Sequence, residues 1–183
     1  IELLPLYGIG TIYVGFERHY NNLNKRLFRE ALAMNIPVEQ VETPMDLRLG
    51  AAELKLYQVP WGDNLNNRSL VTRVTLGGRS LLLTADIGQS GIRWLMDTYG
   101  AESFQADILK IPHHGIDHVA PELLAAADPQ AVFVTYYPHA RNESTHKQLL
   151  KLGYNPIYAG LGSLVMKTDG RIWTLTQLPK EAK

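Results

Sequence analysis

The chain has 183 residues, 45% of them hydrophobic and 20% charged, and 18 Lys+Arg balance 18 Asp+Glu to a formal net charge of zero. This is ordinary composition for one globular domain. It excludes a whole-chain basic clamp for nucleic acid, and no apolar run approaches the roughly 18 residues of a membrane helix. Cysteine is absent, so disulfide frameworks, thiolate zinc sites and cysteine nucleophiles are excluded as well.

The chain begins at Ile1 rather than Met, which reads as a cut edge with a part removed upstream. Thr11–Phe16 is short and β-branched, a strand. After Asn21–Asn24, apolar Leu27, Phe28, Ala31, Leu32 and Met34 fall at helical spacing, and Pro37 closes that helix. Residues 38–60 hold short alternating pieces, with Glu53–Tyr57 the clearest strand, and Trp61–Asn64 reads as a turn. Ser69–Thr75 and Arg79–Thr84 flank Gly77-Gly78 as a hairpin. The second of these strands is nearly all apolar, which predicts burial on both faces. A helix over 91–99 ends at Gly100. Strand and helix then alternate: strand 107–111, helix 121–127, strand 131–135, helix 145–152 with Gly153 as its C-cap. A last hairpin, Ser163–Lys167 and Arg171–Thr176, turns at Thr168–Gly170. Hairpins followed by strand–helix alternation predict a layered α/β sandwich, a single domain over 1–183 with 179–183 a solvated tail.

Histidine placement is the informative feature. His113, His114, His118, His139 and His146, five of the six, fall in a 34-residue window. His113-His114 follows strand 107–111 and Pro112 and precedes Gly115, and a side chain at the C-terminal end of a strand is placed to line a cleft. Asp86 emerges in the same way from the buried run Leu81–Ala85. A carboxylate there is costly to bury without a cation or strong donors, and Asp plus His is a ligand set that Zn²⁺ or Mn²⁺ accepts. The alternative is that Asp86 caps the helix starting near Ser90 and the histidines are turn residues. His118 and His139 read as solvated loop residues.

Three segments carry a resemblance: Asn66–Val71, Gly77–Asp86 and Ala106–Gly115. Together they resemble the second half of a metallo-β-lactamase-fold hydrolase, and within that fold the hydrolase domain of ComEC-type DNA-internalisation proteins. There the pattern runs Asn-x-x-Ser-Leu-Val, a strand ending Leu-Leu-Thr-Gly-Asp, and a strand ending Pro-His-His-Gly-Ser. Order and spacing agree from about residue 47 to 176. The resemblance implies a metallo-β-lactamase-like αββα sandwich lacking its N-terminal part, with two divalent ions (Zn or Mn) in the complete protein. It implies Asp86 as the carboxylate bridging both ions and His113-His114 as the source of a further ligand. His114 is the better match, because other branches of the fold place that ligand one residue after the first His. His146 falls where the family carries a histidine before its penultimate helix, implied to face substrate and orient a phosphate or give up a proton. Otherwise His146 is a surface residue at a helix N-terminus.

The implied reaction is metal-dependent phosphodiester hydrolysis, with single-stranded DNA as substrate, in an extracellular or membrane-associated setting; a cytoplasmic one stays open. Two other readings stand beside it: a phosphorylcholine-esterase-like activity on a small or cell-wall substrate, and a metal-free structural or binding remnant. The departures bear on this choice. Ala85 replaces a Gly, Ile116 replaces a Ser, and the family's His-x-His-x-Asp-His loop has no counterpart, since His19 does not match it. Either that loop lies upstream of Ile1 or the domain is degenerate. As it stands, the chain is expected to bind metal poorly and to be inactive. Trp61, Tyr136 and Tyr137 are loop-adjacent candidates for stacking bases, whereas Arg68, Arg73 and Arg79 are split between faces of the hairpin.

Overall fold

The switch from hairpins to strand–helix alternation becomes a change of strand direction within one sheet. The computed structural model describes residues 1–17, 21–41, 44–60 and 65–179. A parallel pair comes first: β1 (Ile12–Val14) and β2 (Val38–Gln40), joined through helix α1 (Asn22–Ala33), whose N-cap Asn21 accepts from Asn24 N at 2.9 Å. Seven strands then pair in chain order. They are β3 (Met45–Leu49), β4 (Ala52–Tyr57), β5 (Val71–Leu76), β6 (Arg79–Leu83), β7 (Ile108–Lys110), β8 (Ala131–Val134) and β9 (Ile157–Tyr158). From β3 to β6 the neighbours are antiparallel; from β6 to β9 they are parallel. Parallel pairing demands crossovers, and α2 (Gln89–Tyr99), α3 (Pro121–Ala127) and α4 (Glu143–Lys151) supply them.

Those three helices share a core with one face of the sheet. Leu82, Leu109, Val132 and Val134 are buried with Ile92 and Leu95 of α2, Leu123 and Leu124 of α3, and Leu149 of α4. Each such side chain is worth about 1.5–3 kcal/mol of burial, so this layer fixes the parallel half of the sheet. A hairpin of β10 (Gly162–Thr168) and β11 (Trp173–Pro179) is tied to the sheet by Gly78 N donating to Gly170 O (2.8 Å) and Gln177 Nε2 to Tyr158 O (2.6 Å). Trp173 Nε1 donates to Asp107 Oδ2 (3.4 Å), and Arg79 pairs with Asp107 Oδ1 (3.1 Å).

Several expectations change. Leu82 is fully buried, but Leu81 and Leu83 on the other side of β6 are only half-buried. In α1 only Ala31 of the apolar set is buried; Leu27 and Phe28 are half-buried, and Leu32 and Met34 face solvent. The last hairpin closes through 169–172 rather than 168–170: Asp169 Oδ1 accepts from Arg171 N (2.8 Å) and Ile172 N (3.0 Å), so Arg171 is loop, not strand. Pro179 belongs to β11 rather than to a tail. His19, the turn at Trp61–Asn64 and residues 180–183 lie outside the described residues. Among the described residues, no helix is long and apolar enough to cross a membrane.

Candidate functional site

Three neighbouring parallel strands, β6, β7 and β8, run out at one edge of the sheet, and each is followed by polar groups: Asp86, His113-His114 and Thr135. The chain turns sharply at two of these ends. Ala85 (φ 47), His113 (φ 46), His114 (φ 54) and Gly115 (φ 71) all lie in the left-handed region, which costs each non-glycine residue about 1–2 kcal/mol. Strain of this kind persists only where the surroundings over-determine it. Here His113 N donates to Ala85 O (3.1 Å), and Thr84 Oγ1, itself buried, donates to Lys110 O (2.7 Å), so the two turns hold each other.

The turns bring Asp86 and His114 together, with His114 Nε2 3.5 Å from Asp86 Oδ1. The other ring nitrogen, Nδ1, meets Thr135 Oγ1 at 2.9 Å, which fixes the imidazole and leaves Nε2 facing the carboxylate. Asp86 does not cap α2: the N-cap is Gly88, which has no side chain to offer, and Asn67 accepts from Gly88 N instead (3.2 Å). Asp86 N donates to Ser69 Oγ (3.2 Å), so the residue is anchored through its backbone while its half-exposed carboxylate faces His114.

His113 turns another way, with Nδ1 2.7 Å from Asp117 Oδ2 and Nε2 3.5 Å from Asn66 Nδ2. His146, on α4, has its Nδ1 2.9 Å from the hydroxyl of Tyr158. His118 and His139 are exposed, yet neither is idle: His118 pairs with the Ser144 hydroxyl, and His139 caps the short turn at Ala140–Asn142 by accepting from Arg141 N. Arg68 pairs with Glu17, Arg79 with Asp107, and Arg73 donates to Gln105 O, so these three arginines form no common cationic track.

Two residues of the site are ones that sequence reasoning passed over. Thr135 obeys the same strand-end rule that picks out Asp86 and His113-His114. Lys110, within the Asp-Ile-Leu-Lys-Ile strand, has a side chain only 12% exposed; its ammonium donates to Ala85 O (2.6 Å) and Ile111 O (3.3 Å) and lies 3.8 Å from Asp86 Oδ1. Burial holds its pKa below the usual lysine range, against the opposing pull of the Asp86 carboxylate.

The pair meets one demand of a metal site. Two ligand atoms bound about 2.0–2.2 Å from one tetrahedral ion stand about 3.3–3.5 Å apart, which the Asp86–His114 separation matches. It does not meet the demand for number: among the described residues, no group of three or more His, Asp or Glu side chains is gathered to hold an ion. A cavity of about 370 Å³ opens beside the same strand end, lined by Tyr13, Phe16, Asn24, Ser69, Leu70 and Ala85 among others.

No family model matches the chain. In sequence it is similar to ComE operon protein 3 of Bacillus subtilis (strain 168), 24% identical over 132 residues that make up 70% of this chain and 17% of that protein; the chain thus spans a small part of its relative's length. In structure it is similar to CmlA, a diiron beta-hydroxylase from Streptomyces venezuelae, with a TM-score of 0.53 and 13% identity over 92% of this chain and 40% of that one. A Thermotoga maritima protein provisionally described as a zinc-dependent hydrolase of the metallo-β-lactamase superfamily is more distant: TM-score 0.38, 11% identity, 64% of this chain and 60% of that one. The fold is an α/β sandwich shared with CmlA over 92% of this chain. Its sequence likeness is to a ComE protein, in keeping with the ComEC-type resemblance of its strand-end motifs.

Proposed function

We propose that this domain contributes ligands to a divalent-metal centre that hydrolyses phosphodiester bonds, with single-stranded DNA as the substrate class. The observation that carries the reading is the approach of Asp86 Oδ1 to His114 Nε2 at the ends of two adjacent parallel strands, with Thr135 fixing the imidazole. Asp86 and His114 would hold the ion, and His113 would support the turn through Asp117. An ion held there would supply Lewis acidity to the reacting phosphate. The chain's own contribution is to hold both ligand atoms in place, through the Ser69 and Lys110 contacts on one side and Thr135 on the other. His146, with Nδ1 occupied by Tyr158, has Nε2 as the nitrogen for a substrate oxygen or leaving group. The extracellular or membrane-associated setting belongs to the same proposal and rests on the likeness to the ComE protein.

One observation favours a second reading. The Lys110 ammonium already stands 3.8 Å from Asp86, a built-in cation of the kind a metal-free scaffold would use to balance that carboxylate. Hydrolysis of bis(p-nitrophenyl) phosphate by the full translated protein, with added Mn²⁺ or Zn²⁺, separates the two. Asp86→Ala and His114→Ala are each expected to abolish the metal-dependent rate. An unchanged rate in either variant refutes the site, and no rate in the parent protein favours the scaffold. Comparing single-stranded DNA with choline phosphoesters then divides a nuclease from a phosphorylcholine-esterase-like enzyme.

A further inference from the structure

The loop that follows β8 carries Tyr136, Tyr137 and His139, and reaches the Asp86–His114 pair through Tyr136. The rings of Tyr136 and Tyr137 stack with centroids 4.4 Å apart and planes 23° apart, and His139 stands edge-on to both, at 6.2 and 5.7 Å. The Tyr136 ring lies 6.1 Å from that of His114. Tyr136 also packs against the core, but Tyr137 is 43% exposed.

This loop is fixed from beneath. Tyr136 O accepts from Gly160 N (2.9 Å), and a Cβ on Gly160 would collide with Tyr137 N and Tyr136 O, so the two backbones touch there. Asn142, 2% exposed, directs both ends of its amide at the loop: Nδ2 donates to Tyr137 O (3.2 Å) and Oδ1 accepts from His139 N (2.9 Å). The Tyr136 hydroxyl donates to that of Tyr137 (3.4 Å). A buried amide thus fixes the backbone that carries the stacked pair, of which Tyr137 remains exposed. The ordering cost is met during folding rather than on binding.

A ligand suited to this surface is flat. A quaternary ammonium is recognised by aromatic faces gathered around it, whereas these two rings stack on each other and offer a single outer face. Resting on the phosphodiester reading above, we infer that Tyr137, backed by Tyr136 and His139, is a base-stacking subsite. It would hold a nucleobase flanking the phosphodiester at Asp86–His114.

The test is binding by the 183-residue chain without metal. Fluorescence anisotropy would compare a labelled oligothymidylate of about 12 nucleotides with an abasic oligomer of equal length and charge. The base-bearing strand is expected to bind more tightly. Tyr137→Ala is expected to raise its Kd about 10-fold, to the abasic level, while Tyr137→Phe, which keeps the ring, stays within about two-fold of the parent. Equal affinity for the two oligomers, binding of neither, or an unchanged Kd in Tyr137→Ala overturns the subsite. Because no turnover is read, any of these results leaves the Asp86-dependent hydrolysis standing, and loss of that hydrolysis leaves the stacking result standing.

Discussion

Replacing Asn67 by Ala removes the N-cap of α2 from outside the helix. Asn67 is 4% exposed; its Oδ1 accepts from Gly88 N (3.2 Å), and its Nδ2 donates to Ser90 Oγ (3.1 Å). Losing that acceptor leaves the half-buried Gly88 N–H without a partner, which costs about 1–3 kcal/mol. The exposed Ser90 hydroxyl can turn to water and adds little. Asn67→Ala is therefore expected to cost about 2 kcal/mol. At about 2–4 °C per kcal/mol for a chain of this size, the melting temperature falls by about 4–8 °C. Asn67→Asp keeps the acceptor at a helix N-terminus, where a negative charge is favourable, and is expected to recover most of the loss. Gly91→Ala probes the contact from the other side, since a Cβ there would stand 2.8 Å from Asn67 Oδ1 and force the cap away. Thermal and urea unfolding followed by circular dichroism provide the measurement. A loss below about 0.5 kcal/mol in Asn67→Ala, or equal damage from Asn67→Asp, refutes the assignment of the cap.

Two further predictions concern the strand ends. At Ala85 (φ 47), Ala85→Gly relieves a left-handed penalty of about 1–2 kcal/mol and gives back about 0.5–1 kcal/mol to unfolded-chain entropy, so stability should hold or rise slightly. Ala85→Val, β-branched at the same φ, should lose about 2 kcal/mol in urea unfolding, and a neutral Val variant would mean that the turn is not strained. Asp107 has a depressed carboxyl pKa: burial pushes it up, but the N–H of Ser80, the indole of Trp173 and the guanidinium of Arg79 together outweigh that. A carboxyl lowered on folding contributes stability above its unfolded value near 3.8 and loses it as pH falls through the folded value. Wild-type urea midpoints should thus drop from about pH 4 downward, and Asp107→Asn should be less stable at neutral pH with a flatter acid limb. Parallel profiles for the two proteins would remove Asp107 from the account.

The strand ends that present Asp86 and His113-His114 were legible because the signal is local: an apolar run halted by a carboxylate, or by Pro and then two histidines. What those side chains meet was not legible, because the partners are distant in sequence. Thr135 reaches His114 across 21 residues, Lys110 reaches Ala85 across 25, and Asn67 reaches Gly88 across 21. Asp86 looked able to cap α2 because Gly88, where a capping side chain belongs, offers none. Only the fold shows that the amide of Asn67 comes in from the side. The apolar stripe of α1 misled for the opposite reason: periodicity marks a face, but not what covers it, and Leu32 and Met34 are left in solvent. His146 was placed on a helix correctly, while its contact with Tyr158 needed β9 to be docked beside α4.

The reversal of strand direction at β6 sets an order of assembly. The β5–β6 hairpin closes locally, with Leu76 opposite Arg79, and needs nothing distant. The Asp86–His114–Thr135 group draws on three strands whose parallel pairing requires two helical crossovers, and non-local pairings of that kind form late. The hydrogen bond between His114 and Thr135 is accordingly a marker of completion. A chain arrested before β8 docks would hold Asp86 in its turn and yet present no oriented imidazole to pair with it.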